Sequence, residues 1–137
     1  MDTPIFLTKA QVLFSHQDLI ETYGGSHGVR DEGLLESALE MPQAGFGEEY
    51  FHKTLFEMAA AYLYHLVKNH PFIDGNKRIG FACADLFLTM NEFELILTED
   101  EVYDLTIRVA CEPVTKEEIS AFFEKNSRQL PKETAYD

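Results

Sequence analysis

His70-Pro71-Phe72-Ile73-Asp74-Gly75-Asn76-Lys77-Arg78, running on into Ile79-Gly80-Phe81-Ala82-Cys83-Ala84-Asp85-Leu86-Phe87-Leu88-Thr89-Met90-Asn91, is the stretch on which the reading of this chain turns. Its second part is apolar nearly all round at helical length, and a helix without a polar face is buried on most sides. The spacing therefore predicts a central buried helix over about Lys77 to Asn91. Its first part is a turn. Pro71 disfavours helical geometry at His70, so a preceding helix must stop there. Gly75 permits backbone angles that other residues resist, and Asn76 is a favoured N-cap. The turn aims a helix N-terminus at something, and such a terminus carries free N–H groups and about half a positive charge.

Outward from that stretch the chain reads as further helices with clear punctuation. Upstream, Phe56, Ala59, Ala60, Leu63, Val67 and His70 fall on one helical stripe from about Thr54 to Asn69. This places His70 inward or in a cleft. Thr8 caps a first helix ending at Tyr23 before Gly24-Gly25, and Asp31 caps a short one halted by Pro42. Gln43 to His52, with two glycines and two adjacent acids, reads as a loop. Phe93 to Leu97 reads as a short extended piece, and Thr98/Glu101 and Thr115/Glu118 as starts of two last helices. The class is all-α, with one domain over residues 1–126 and a loose polar tail over 127–137.

Composition fits an ordinary soluble globule of 137 residues, 45% hydrophobic and 26% charged. No apolar run reaches the roughly 18 residues of a membrane span, and Met1-Asp2-Thr3-Pro4 does not resemble a secretory leader. The expectation is a cytoplasmic protein without a membrane partner. A formal net charge of −13 argues against direct nucleic-acid binding, which needs Lys and Arg against phosphates. It suggests instead a protein partner with a basic face, or simply a soluble surface. Cys83 and Cys111 form no C-x-x-C pair and read as buried small hydrophobes. His16, His27, His52 and His65 have no ligand spacing with one another, which speaks against zinc. Arg30-Asp31 reads as a capped turn.

Two cations, Lys77 and Arg78, stand in the first turn of the central helix, where the helix dipole makes each unfavourable by about 0.3–1 kcal/mol. They fit if phosphate binds there, or else both reach away to surface acids. A neutral His70 suits a general base near neutral pH. Asp74 offers the hard oxygen that Mg²⁺ takes alongside substrate phosphates, or else only an Asx-turn. Phe72 reads as a core plug under the loop. The segment lacks the pattern of a Walker A loop.

These residues resemble the signature of the Fic/Doc (Fido) family, His-Pro-Phe-x-Asp/Glu-Gly-Asn-Gly/Lys-Arg, at every fixed position. Phe6-Leu7-Thr8-Lys9 and Gly24 to Leu35 further resemble its short death-on-curing branch, and the similarity spans Phe6 to about Lys125. The resemblance implies a compact helical bundle around the motif-bearing helix. It implies His70 as base, Asp74 as Mg²⁺ ligand, and Gly75, Asn76 and Lys77 as contacts to the phosphates of ATP or another nucleoside triphosphate. Arg78 would neutralise charge developing on those phosphates, with Pro71 and Phe72 anchoring the loop. It also implies a flap at Gln43 to His52 that docks the target segment.

Lys77 stands where AMP-transferring members usually carry glycine. The death-on-curing branch carries lysine there and transfers phosphate, although it has alanine where this chain has Gly75. Phe81 replaces the second arginine of many AMP-transferring members, and the chain contains no Ser/Thr-x-x-x-Glu-Gly/Asn inhibitory motif. The resemblance therefore implies a toxin-type transferase that phosphorylates a Ser/Thr hydroxyl of a target protein, a translation elongation factor by analogy, with an antitoxin as possible inhibitor. The alternatives are AMP transfer at the same site and a catalytically silent module that only binds nucleotide or a partner.

Overall fold

The structure, a computed structural model, describes residues 3–131. Six helices dominate it, and the strands are only two or three residues long. Helices α1 (Lys9–Tyr23), α2 (Glu32–Glu40), α3 (Leu55–Asn69), α4 (Asn76–Met90), α5 (Glu99–Cys111) and α6 (Lys116–Lys125) follow one another. A 3-10 turn at Met41–Gln43 and a hairpin of β1 (Gly45–Phe46) and β2 (Glu49–Tyr50) lie between α2 and α3. Strand β3 (Phe93–Leu95) follows α4 and pairs antiparallel with β4 (Ser127–Gln129). Among the described residues no helix is long and apolar enough to cross a membrane.

Capping explains the helix starts. The hydroxyls of Thr8, Thr54 and Thr98 each accept from the backbone N–H three residues on, and Gln11, Glu57 and Glu101 reach back to close the capping box. Asp31 and Thr115 cap α2 and α6 in the same manner without the reciprocal bond. Inside, α3 and α4 form the central pair. An uninterrupted run of α3, Met58 to Leu63, is fully buried, because other helices cover α3 on several sides. On α4 the residues Ile79, Cys83, Ala84, Phe87 and Leu88 are buried. The two helices approach closely at Gly80, where a Cβ would lie 3.1 Å from Val67 and 3.2 Å from Leu63. The motif-bearing helix is thus held rigidly by its neighbour, and its N-terminus is left to face outward.

Three expectations need correction. Gln43 to His52 is no irregular loop but begins at the last residue of the 3-10 turn and contains the hairpin. Ser127 to Gln129, placed by the sequence in a loose tail, pairs with β3; the tail's remainder, 132–137, lies outside the described residues, as do Met1 and Asp2. Cys83 is buried as expected, but Cys111, at the end of α5, is exposed.

Candidate active site

Helix α3 ends in an unusual way. His70 occupies the left-handed region (φ 51°, ψ 54°), which costs a side-chain-bearing residue about 1–2 kcal/mol. Arg30 offsets this by satisfying the helix's last carbonyls: its Nε donates to His70 O at 2.7 Å and an Nη to Asn69 O at 3.0 Å. The Arg30 and Asp31 amides donate to Pro71 O at 2.7 and 3.0 Å. Of the two expectations for His70, inward or in a cleft, the structure supports the cleft. The left-handed step turns its side chain off the α3 stripe, and it is exposed at the mouth of a cavity of about 840 Å³.

Below the loop, Pro71 and Phe72 are buried, and Phe72 forms an isolated bridge with Val29. Asn76 does not cap α4; it is the first residue of the helix, after Gly75 in the left-handed conformation (φ 77°). Instead its buried amide is spent on the loop: Phe72 N–H donates to its Oδ1 at 3.0 Å, and its Nδ2 donates to Phe72 O at 3.0 Å.

Asp74 is exposed, and both carboxylate oxygens are already oriented. Ser26 N–H donates to Oδ2 at 3.1 Å and Gly75 N–H to Oδ1 at 2.9 Å. These two backbone donors, the first foremost, with the Arg78 charge, hold its carboxyl below the usual carboxylate range. An ionised carboxylate still has free lone pairs when each oxygen accepts one N–H, so Asp74 fits a hard divalent cation. Lys77 and Arg78 are exposed, and among the described residues neither has a carboxylate within ion-pair distance. The alternative in which both cations pair with surface acids therefore fails. Arg78 lies over the Tyr23 ring at 4.7 Å, a contact that orients the guanidinium without neutralising it.

One cavity collects His70, Asp74, Gly75, Asn76, Lys77 and Arg78, closed on its far side by Phe81 and by Tyr103 of α5. Sequence reasoning missed four contributors: His16, whose ring lies under the loop, and Ser26, Arg30 and Tyr23, which fix Asp74, His70 and Arg78. Each acts across roughly 40 to 60 residues of chain, and no local pattern encodes such a contact.

The model of the family described as "Fic/DOC family" matches residues 6–88, which contain the whole motif. The chain is 38% identical over 101 residues to a protein of Mycolicibacterium smegmatis named Toxin Doc, covering 72% of this chain and 78% of that relative. It is 33% identical over 104 residues to a protein of Escherichia phage P1 named Protein kinase doc, covering 76% and 81%. The clamp from Gly24 to Leu35 and the motif both fall inside the family match, and on these grounds the chain belongs to the Fic/DOC family.

Proposed function

We propose that this chain transfers the terminal phosphate of a Mg-bound nucleotide, ATP or another nucleoside triphosphate, to a Ser or Thr hydroxyl of a target protein. The observation that carries this reading is the convergence on one cavity of an exposed histidine, an ionised carboxylate and, at a helix N-terminus, two cations with no ion-pair partner among the described residues. His70 takes the hydroxyl proton. The hydroxyl oxygen bonds to the terminal phosphorus as its bond to the diphosphate leaving group breaks. The α4 amide groups with Lys77 and Arg78 bind the phosphates and stabilise the charge that shifts onto the leaving group. Asp74 would hold Mg²⁺, which when bound would supply positive charge to offset that of the phosphates. Positioning by a rigid loop supplies much of the rate.

Phosphate rather than AMP is favoured by Lys77 and by the name Protein kinase doc of one relative. Gly75 favours AMP, which makes adenylyl transfer the second reading. As partners we propose a translation elongation factor, by analogy within the family, and an antitoxin-type inhibitor, since another relative is named Toxin Doc; the proposed setting is the cytoplasm. Intact-mass spectrometry of candidate targets after incubation with the chain, Mg²⁺ and ATP tests the reading, with His70→Ala beside it. A gain of one phosphate that requires His70 is expected. A gain of one AMP overturns the choice of group transferred. Nucleotide binding with no added mass on any target points to a silent binding module.

A further inference from the structure

His16 has no place in the reaction described above, yet it is the polar side chain most tightly built into the loop. It sits on α1 and is only 3% exposed. Its ring stacks on Phe72 with centroids 3.8 Å apart and an interplanar angle of 11°. Its Nε2 lies 2.7 Å from Asp74 O. A carbonyl oxygen has no hydrogen to give, so Nε2 is the donor, and a neutral ring here carries its hydrogen on Nε2. A peptide unit is planar and its C=O and N–H point in opposite directions. Pulling the Asp74 carbonyl down onto α1 therefore turns the Gly75 N–H the other way, where it donates to Asp74 Oδ1. The same peptide leads into the first turn of α4, whose residues Asn76, Lys77 and Arg78 line the cavity.

We propose that His16 is a positioning residue for the phosphate site: its Nε2–H sets the Asp74–Gly75 peptide, and through it the direction of the Asp74 carboxylate. The proposal rests on the reading of His70 to Arg78 as a Mg-nucleotide site. The ring stack and the hydrogen bond make separable contributions. A purely structural histidine acts by filling space against Phe72, so His16→Phe would be mild and His16→Gln severe. A positioning histidine acts through its donor, and glutamine can place an N–H near the same point while phenylalanine cannot. The order of the two variants is then reversed.

The test compares wild type, His16→Gln and His16→Phe in two measurements on the full chain. The first is hydrogen exchange of the Gly75 amide by NMR, which needs no ligand. The second is the Mg²⁺ concentration for half-maximal nucleotide transfer, read separately from kcat. We expect His16→Phe to speed Gly75 exchange about tenfold and to raise the Mg²⁺ requirement about 10–100-fold, the usual range for groups that orient a metal ligand. His16→Gln should stay near wild type in both. Equal effects of the two variants, or a milder His16→Phe, overturn the proposal. Should wild type show no Mg-dependent transfer, the proposed function fails while the order of Gly75 exchange still decides whether His16 sets this peptide.

Discussion

Asn76 illustrates how one side chain can hold a loop together from within. Its amide pairs with both the N–H and the C=O of Phe72. Removing it leaves two buried backbone groups unpaired, at about 1–3 kcal/mol each. Asn76→Ala should therefore lower unfolding stability by about 2–6 kcal/mol in urea titration, and an effect under about 1 kcal/mol would mean that water replaces the amide. Gly25 makes the reverse case, because a Cβ there would lie 2.6 Å from Asp74 Oδ2, at a φ of +119° that side chains resist. Gly25→Ala should displace the Asp74 carboxylate and weaken Mg²⁺ dependence about tenfold, measured as the half-saturating Mg²⁺ concentration. At this scale the sequence was partly legible. The nine-residue motif announces its chemistry through residue types, and Pro71 and Phe72 are found buried where pattern placed them. The partners of those residues were illegible, since Ser26 and Arg30 reach the motif through turns whose geometry exists only once α1 and α4 have packed.

At the scale of elements, caps and stripes made the helices readable: five starts have a Thr or Asp at the boundary, while α4 was found by its apolar length and its cap is Gly75 where the sequence suggested Asn76. The β1–β2 hairpin was not readable, because two-residue strands carry no alternation to detect. Its foot is joined to the helices by a cluster that single-sequence reasoning also missed. Lys116, first residue of α6, places Nζ 3.2 Å from His52 Nε2 and 3.1 Å from His65 Nε2, and lies over the Tyr64 ring at 5.7 Å. An ammonium only donates, so both imidazoles accept and are neutral. Burial first, then the Lys116 charge, lowers both histidines, His65 to about 4; Glu57 and Glu117 counteract this only at His52. The unfolded chain takes up its proton near the ordinary value of 6.5 and the folded chain does not. Stability is therefore full above about pH 6.5 and falls as pH drops toward about 4. With the partial solvent access of His65, the loss should be on the order of 1–2 kcal/mol. Urea midpoints at neutral pH and near pH 4.5 measure it, and His65→Gln should flatten the slope. An unchanged slope in that variant would place the acid sensitivity elsewhere.

Across the whole molecule, α4 separates two jobs. At its N-terminus stands the candidate site, and at its C-terminus the β3–β4 ribbon, some 22 Å away for a helix of 15 residues. The ribbon closes the chain on itself: Ile96 N–H donates to Asn126 O at 2.6 Å and Leu130 N–H to Glu92 O at 2.8 Å. Phe93, on β3, packs edge-on against Phe56 of α3 at 5.1 Å, so the ribbon is tied into the core through β3 rather than β4. The Arg128–Glu94 ion pair across it is exposed and adds little. A chain ending at Asn126 therefore loses the ladder but keeps the aromatic anchor. Each lost backbone bond is worth about 0.5–1.5 kcal/mol net, and released ends recover some of that by fraying, so the expected destabilisation is about 1–3 kcal/mol. Well below the melting temperature, phosphate transfer and the Mg²⁺ requirement should stay within about twofold of the full chain, because nothing in the ribbon touches the loop from His70 to Arg78. Thermal melting and transfer assays on the two chains in parallel decide the matter. A large loss of transfer at unchanged melting temperature would show that the end of the chain acts on the site directly, and that α4 transmits strain along its length instead of isolating one end from the other.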